Sequence, residues 1–136
     1  GFVAVDCGGM VIVSCYFSPN LEIDEYDVAL GELADCVRSC SGSPIVVAGD
    51  FNARARIWGS NDTTQKAIHL MELMSALDLR LANMGTEPTC IRAQGTSVVD
   101  LTWATPGMLP RIRDWRVIPG EELEALSDHR YISFVV

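Results

Sequence analysis

Three short segments of this chain carry side chains that could do chemistry, and each lies where an apolar run meets a turn. They are Gly49-Asp50-Phe51-Asn52, Ser97-Val98-Val99-Asp100 and Ser127-Asp128-His129. Carboxylates suit hard cations, and imidazole is the side chain best able to exchange a proton near neutral pH. Because all three segments sit at the edges of predicted buried strands, we expect them to form one polar site. The chemistry that such a site suits is metal-assisted cleavage of a phosphodiester.

The first segment places two polar groups at the end of an apolar strand. If the extended geometry persists, side-chain alternation points Asp50 and Asn52 the same way and turns Phe51 into the core. The carboxyl ends of strands are where α/β folds place their sites. Taken alone, the segment fits a simple strand stop equally well, since Gly, Asp and Asn all favour turns.

The other two segments place an aspartate inside an apolar strand and an Asp-His pair in a loop. Asp100 would cost free energy in the strand unless it is paired or faces solvent. An isolated Asp128-His129 pair would usually be a solvated surface feature. The chain has only two histidines, and the coincidence of three such segments favours a function. His69, within the second predicted helix, is expected to be a surface or packing residue.

Residues beside these segments could contact a phosphate or a nucleic acid. Tyr16 and Asn20 lie at a strand end and in the following turn, where they could donate hydrogen bonds to phosphate oxygens. Arg54, Arg56 and Trp58 offer positive charge and a stacking surface on a loop next to the first segment. The alternative is that all five are ordinary edge, turn and surface residues.

The elements that must position these residues alternate between strands and helices, which is typical of an α/β fold. Gly8-Gly9 predicts a hairpin between two strands, and helical spacing of apolar residues predicts two amphipathic helices, the first with Asp24 as its N-cap. A continuous apolar run between the helices predicts a strand buried on both faces. The predicted strands are Phe2–Cys7, Met10–Phe17, Pro44–Gly49, Leu79–Asn83, Thr89–Arg92, Val98–Ala104, Ile112–Ile118 and Tyr131–Val136, and the predicted helices are Ile23–Cys40 and Thr64–Leu77. We expect residues 1–136 to form a single domain, or most of one.

Composition limits the class of protein. The net charge of −8 disfavours a passive nucleic-acid binder, which needs a basic surface, but it is compatible with a nuclease whose carboxylates await a cation. No apolar run approaches the roughly 20 residues that span a bilayer, so we expect no membrane contact. Five cysteines without a Cys-x-x-Cys pair disfavour a structural zinc site and a disulfide framework, and favour a reducing, intracellular compartment.

The motifs, taken in order, resemble those of the endonuclease/exonuclease/phosphatase superfamily. The resemblance is carried by Tyr16-Phe17-Ser18-Pro19-Asn20, Gly49-Asp50-Phe51-Asn52, Ser97-Val98-Val99-Asp100-Leu101-Thr102 and Ser127-Asp128-His129. More narrowly, the chain is similar to the apurinic-endonuclease-like domain that precedes reverse transcriptase in non-LTR retrotransposons. The extension from Asn52-Ala53-Arg54 to Trp58-Gly59-Ser60 looks like that branch, and the resemblance covers essentially the whole chain.

The resemblance implies a four-layer α/β sandwich, in which two mixed β-sheets pack face to face between flanking helices. It implies a divalent cation, normally Mg²⁺ with Mn²⁺ as a substitute. It also implies nicking of one strand of double-stranded DNA, which leaves a 3′-hydroxyl primer for a covalently linked reverse-transcriptase domain downstream. Action on chromosomal DNA implies a nuclear location.

The resemblance also assigns catalytic roles to five residues. Asp50 would orient or deprotonate the attacking water or assist the leaving oxygen, and Asn52 would hold that water or a phosphate oxygen. Asp100 would hydrogen-bond His129, fixing its tautomer and favouring the imidazolium that faces the scissile phosphate. Tyr16 would line the phosphate site.

The remaining assignments concern the metal and the DNA. Asp128 would belong to the metal site together with Asp50. The expected phosphate- or DNA-binding residues are Asn20, Asn52, His129, Arg54 and Trp58.

One departure from the family pattern affects the metal site. The family's catalytic Asn and metal-binding Glu precede the first hairpin, and Glu22, Glu25 and Glu32 do not match that pattern. We therefore expect these residues to be the C-terminal portion of the domain, lacking its N-terminal segments, and to bind Mg²⁺ poorly and nick DNA weakly or not at all on their own. Two other interpretations stay open: another phosphodiesterase of the superfamily (an abasic-site repair endonuclease, a deadenylase or a phosphatase), and a noncatalytic remnant.

Overall fold

The computed structural model describes residues 1–136, in which nine strands and two helices follow one another. The elements are β1 (Phe2–Asp6), β2 (Val11–Tyr16), α1 (Ile23–Ser39), β3 (Ile45–Asp50), α2 (Gln65–Ala76), β4 (Arg80–Leu81), β5 (Cys90–Arg92), β6 (Gly95–Ser97), β7 (Asp100–Ala104), β8 (Arg113–Val117) and β9 (Ile132–Val135). Short 3₁₀ turns occupy Arg56–Trp58 and Leu109–Arg111. Every predicted strand and helix is present. The sequence does not predict β6, because Gly95-Thr96-Ser97 has no apolar alternation.

Five of the strands form one mixed sheet in the order β1-β2-β3-β7-β4. β2 and β3 are parallel, and the other neighbours in this sheet are antiparallel. The register pairs Tyr16 with Asp50 across β2 and β3, and Asp50 with Asp100 across β3 and β7. Residues that are distant in sequence therefore meet at one end of the central strand.

Both helices pack on one face of this sheet, where most of the core lies. The fully buried side chains of this core include Val13, Phe17, Tyr26, Leu33, Val47, Phe51, Leu70, Met74 and Leu101. Ile23–Ser39 buries a stripe at helical spacing, as its sequence predicts. Neither helix is both long and apolar enough to cross a membrane.

The two helix starts differ in how they are capped. Glu22, and not the predicted Asp24, is the N-cap of α1, and the Glu25 carboxylate accepts a hydrogen bond from the Glu22 N–H at 3.1 Å. Asp24 instead lies in the first helical turn, where a negative charge still favours the helix dipole. Thr64 caps α2 by accepting a hydrogen bond from the Ala67 N–H at 3.3 Å.

The opposite face of the sheet is only partly covered. A small cluster of Val46, Ala104 and Met108 packs there against Phe134 of β9, and the Trp115 indole of β8 donates a hydrogen bond to Thr102 Oγ1 at 3.0 Å. The ribbon β8-β9 thus forms a layer on this face, and β5-β6 forms a second two-stranded ribbon. The predicted α/β class is confirmed. Within these residues the second layer of strands is the β8-β9 ribbon, while Val3 and Val5 at the sheet edge stay exposed.

Candidate active site

Two aspartates and one histidine converge at the end of β3. Asp50 is the last residue of β3 and Asp100 the first of β7, so their backbones are paired across the sheet. His129 Nδ1 lies 2.8 Å from Asp100 Oδ2, and His129 Nε2 lies 3.6 Å from Asp50 Oδ2. One ligand atom from each of the three residues lies within 4.8 Å of the others. The predicted convergence of Asp50, Asp100 and His129 is therefore confirmed.

His129 reaches the sheet because its loop pairs with β5. His129 and Cys90 form an isolated antiparallel bridge, and the Arg130 N–H donates to the Thr89 carbonyl at 2.7 Å. The buried Thr89 also connects this loop to β7, since its Oγ1 accepts the N–H groups of both Val99 and Asp100 at 3.1 Å. Thr89 thus aligns the two sides of the site. Sequence reasoning missed this role, because a threonine beside a short strand carries no distinguishing local signal.

Asn52 lies beside Asp50, but not for the predicted reason. The strand ends at Asp50, and Asn52 adopts a left-handed backbone with a φ of 44°, which asparagine tolerates better than most residues. Its N–H donates to Asp50 Oδ1 at 2.9 Å, and its Nδ2 donates to the Phe17 carbonyl at 2.6 Å and to Asp50 Oδ2 at 3.1 Å. The side-chain amide hydrogens are thereby engaged, and Oδ1 is left as an acceptor. Phe51 is fully buried, as predicted.

Gly49 permits the close approach of β2 and β3 that places Asp50. Its φ is 152°, and a Cβ added at this position would collide with the backbone carbonyl of Cys15. A side chain here would therefore force the two central strands apart. The glycine before Asp50 is a requirement of the site as well as a turn signal.

The electrostatics of the site are set first by burial and then by the neighbouring groups. Burial raises the pKa of Asp50, and the negative charge of Asp100 raises it further. The Asn52 N–H, His129 and Arg92 act in the opposite direction without cancelling the effect. The side chains of Asp50 and Asp100 are only 14% and 15% exposed. The site therefore concentrates negative charge that a bound cation would relieve.

The donor set fits a hard divalent cation in part. Asp50 and Asp100 offer carboxylate oxygens, which Mg²⁺ prefers, whereas the imidazole of His129 is a poorer match for that ion. Asp128, predicted as a metal ligand, is not in this cluster. Its carboxylate is 62% exposed and lies 3.3 Å from Arg92 Nε. The backbone carbonyl of Asp128 accepts the Ile91 N–H at 2.8 Å, and its role as a metal ligand stays a prediction.

Most of the residues predicted to bind phosphate or DNA lie near the active site, whereas Trp58 lies in the core. Tyr16, paired with Asp50 in the sheet, is 56% exposed, and Asn20 lies in a groove that Asn52 also lines. Arg54 borders the same groove and forms a two-pronged ion pair with Asp62, with contacts of 2.8 and 3.1 Å.

Trp58 does not offer the predicted stacking surface. Its side chain is 2% exposed, its indole N–H donates to the Ala53 carbonyl at 3.3 Å, and its ring meets that of Trp103 edge-on. It is a core residue, because the 3₁₀ turn at Arg56–Trp58 folds the loop back onto the sheet. Ile57 of the same turn is exposed instead.

Solved structures that share this fold include three nucleases. The endonuclease domain of TRAS1, a telomere-specific non-LTR retrotransposon, matches with a TM-score of 0.82 and 30% sequence identity, over 98% of this chain and 59% of that chain. A 3′-5′ exonuclease from Neisseria meningitidis matches with a TM-score of 0.78 and 17% identity, over 99% of this chain and 65% of that one. An AP endonuclease from Archaeoglobus fulgidus matches with a TM-score of 0.78 and 16% identity, over 98% and 64%. The last two show the fold alone.

The fold and the sequence together place the chain in the endonuclease/exonuclease/phosphatase superfamily. The sequence profile described as endonuclease-reverse transcriptase matches residues 10–133, and the chain belongs to that family. The resemblance found in the motifs is thereby confirmed. The chain spans about 60% of the length of the TRAS1 domain, and no curated protein matches it at a significant level.

Proposed function

We propose that this chain is the catalytic part of a metal-dependent DNA endonuclease of a retroelement, which nicks one strand of target DNA and leaves a 3′-hydroxyl. The observation that carries the proposal is the placement of His129 between two carboxylates, with Nδ1 at 2.8 Å from Asp100 and Nε2 at 3.6 Å from Asp50. We also propose that a reverse-transcriptase domain lies downstream and uses the nick as its primer. We further propose that the protein acts in the nucleus.

His129 and Asp100 would act as a unit on the scissile phosphate. A phosphodiester carries negative charge that repels nucleophiles, and more charge develops on its oxygens in the transition state. Asp100 accepts a hydrogen bond from Nδ1 and so fixes the orientation of the ring, leaving the Nε2 edge to offset that charge. Asp100 would be a positioning residue, because it acts through His129.

Asp50 and Asn52 would act on the attacking water. The raised pKa of Asp50 makes it a better proton acceptor than an ordinary aspartate. Asn52 has its amide hydrogens engaged by Phe17 and Asp50, so its free Oδ1 suits a water O–H better than a phosphate oxygen. Of the two roles predicted for Asn52, we therefore propose the one directed at water.

A divalent cation would be held at the carboxylate of Asp50, with Asp128 as the second carboxylate, where it would offset the charge of the bound phosphate. The two carboxylates match the oxygen ligands that Mg²⁺ prefers, and Mn²⁺ accepts the same set together with imidazole.

The test is nicking of supercoiled plasmid DNA with Mg²⁺, in this chain and in the retroelement polypeptide proposed to carry it. His129→Ala should reduce turnover by roughly 10²- to 10⁴-fold, the usual contribution of a positioned proton donor or acceptor. His69→Ala is the matched control: His69 is the other histidine and pairs with Asp27 at 2.7 Å, away from the site. Wild-type nicking by His129→Ala would refute the proposal.

Substrate choice separates this proposal from the other superfamily activities. Intact duplex DNA, duplex DNA with an abasic site, polyadenylated RNA and inositol phosphates should be compared at equal concentration. The 30% identity to a retrotransposon endonuclease favours the intact duplex. Preference for any of the other three would support a repair enzyme, a deadenylase or a phosphatase, and loss of all four activities would support a noncatalytic domain.

A further inference from the structure

A polar groove opens beside the candidate active site, on the side of Asn52. It has a volume of about 750 Å³, and two of its eleven lining residues are hydrophobic. The loop after β3, the turn before α1, the start of α2 and the end of β5 all contribute to it. None of the lining residues is aromatic, so the groove has no surface on which a base could stack.

Three cationic side chains line this groove, although the chain as a whole has a net charge of −8. They are Arg54, Lys66 and Arg92, and Glu22 is the one carboxylate among the lining residues. Arg54 is neutralised by its two contacts with Asp62, and Arg92 has a single contact of 3.3 Å with Asp128. Lys66 belongs to no ion pair. It is the uncompensated charge of the groove.

Lys66 is held in place by packing. It lies on the first turn of α2, where no acidic residue is present, and its ammonium lies 5.5 Å from the ring centroid of the buried Tyr26. The side chain is partly buried over this aromatic face and lines the groove. Because the charge is already positioned, an anion that binds there would not have to order a free lysine side chain.

Arg92 connects the groove to the catalytic carboxylates. It borders the groove, and its strand β5 forms the bridge from Cys90 to His129. Asn52 likewise belongs to both places, through its hydrogen bonds to Asp50 and its position in the groove wall. An extended anion could therefore pass from the groove directly to the Asp50–His129 site.

We propose that this groove binds the sugar-phosphate backbone of the DNA strand that is cut, next to the scissile phosphate, with Lys66 contacting one phosphate and Arg92 a second. The inference rests on the proposed function. The polar lining and the lack of aromatic residues fit a backbone held without base recognition, so contacts here would set the register of the strand and would not select its sequence.

The experiment measures binding of a short fluorescein-labelled DNA duplex to the full chain by anisotropy, in EDTA and over a range of KCl concentrations. Each phosphate contact contributes about 0.9 to the slope of log K against log salt. Lys66→Gln should therefore reduce that slope by about 1 and weaken binding about eightfold near 0.1 M salt. Lys66→Arg should restore both values.

Arg111→Gln is the matched control, because it removes one exposed positive charge at the other end of the sheet, after β7. It should leave both the slope and the affinity unchanged. An unchanged slope and affinity in Lys66→Gln would overturn the proposal, as would an equal loss in Arg111→Gln. The proposal would also be overturned if Lys66→Gln weakened the binding of a single-stranded RNA and left the binding of the duplex unchanged.

The two proposals fail separately. If His129→Ala abolishes nicking while Lys66→Gln binds the duplex normally, the catalytic proposal stands and the groove proposal falls. If Lys66→Gln reduces the slope of log K against log salt by about 1 while His129→Ala still nicks DNA, the groove binds DNA and the assigned catalytic residue is wrong.

Discussion

Replacing Asp100 with Asn should slow DNA nicking about 10- to 150-fold while the chain stays folded. The perturbation is nearly isosteric and replaces a charged acceptor with a neutral one, 2.8 Å from His129 Nδ1. Both partners are largely shielded from water, with 15% and 28% of their side chains exposed. A hydrogen bond to a charged group in such a setting contributes about 1.5–3 kcal/mol, and each 1.36 kcal/mol is a tenfold change in rate.

The assay is steady-state nicking of plasmid DNA with Mg²⁺ by the retroelement polypeptide proposed to carry this chain, so that kcat and KM are separated. Asp100 contacts His129 and not the DNA, so kcat should fall and KM should change little. Asp78→Asn is the matched control, because it also removes one carboxylate charge, but at an exposed ion pair with Arg80 near the opposite end of the sheet. Its kcat should stay at the wild-type value.

A pH profile provides a second measurement, which would not change if Asp100 had a purely structural role. The charge of Asp100 raises the pKa of Asp50, so Asp100→Asn should move the acid limb of activity to lower pH. The reasoning is refuted if Asp100→Asn keeps kcat near the wild-type value or does not move the acid limb of activity. It is also refuted if Asp78→Asn lowers kcat as much as Asp100→Asn does.

The remaining predictions concern the strand that carries Asp50. Because the pKa of Asp50 is raised in the folded chain, its ionisation costs stability at neutral pH, and that cost disappears once the pH falls below the ordinary Asp range near 3.9. Asp50→Asn should therefore abolish nicking and raise Tm at pH 7, with the gain shrinking as the pH is lowered; a Tm that falls equally at all pH values would contradict this. Gly49→Ala should lower the free energy of unfolding by about 2–4 kcal/mol in urea, from backbone strain and the collision with Cys15. Gly31→Ala on α1, where an added Cβ meets nothing within 4 Å, should instead add about 0.5–1 kcal/mol, and similar effects of the two glycines would rule out the collision.

The sequence alone determined the elements and the identity of most site residues. The spacing of apolar residues fixed both helices, and the run from Ile45 to Ala48 fixed the central strand, because periodicity is a local property of the chain. The burial of Phe51 and the position of Asp50 at a strand end followed in the same way. The order of the motifs along the chain was sufficient to indicate the superfamily.

Tertiary structure decided how the side chains meet. Asp100 and His129 are 29 residues apart, and their hydrogen bond depends on the pairing of the His129 loop with β5 and on the position of Thr89. The same loop places the Asp128 carboxylate 3.3 Å from Arg92 Nε, outside the cluster of Asp50, Asp100 and His129. These outcomes depend on strand register and loop path, which are set by contacts between distant segments that no local pattern encodes.

Trp58 and Lys66 illustrate the same difference. In the sequence, Trp58 is an aromatic on a polar loop, and Lys66, the only lysine, is a cation near the start of a predicted helix. In the fold, the 3₁₀ turn buries the tryptophan against Trp103, and the packing of α2 against α1 sets the lysine over Tyr26 in the groove. Whether a side chain faces the core or a ligand is decided by what packs against it, and that is known only when the distant elements are in place.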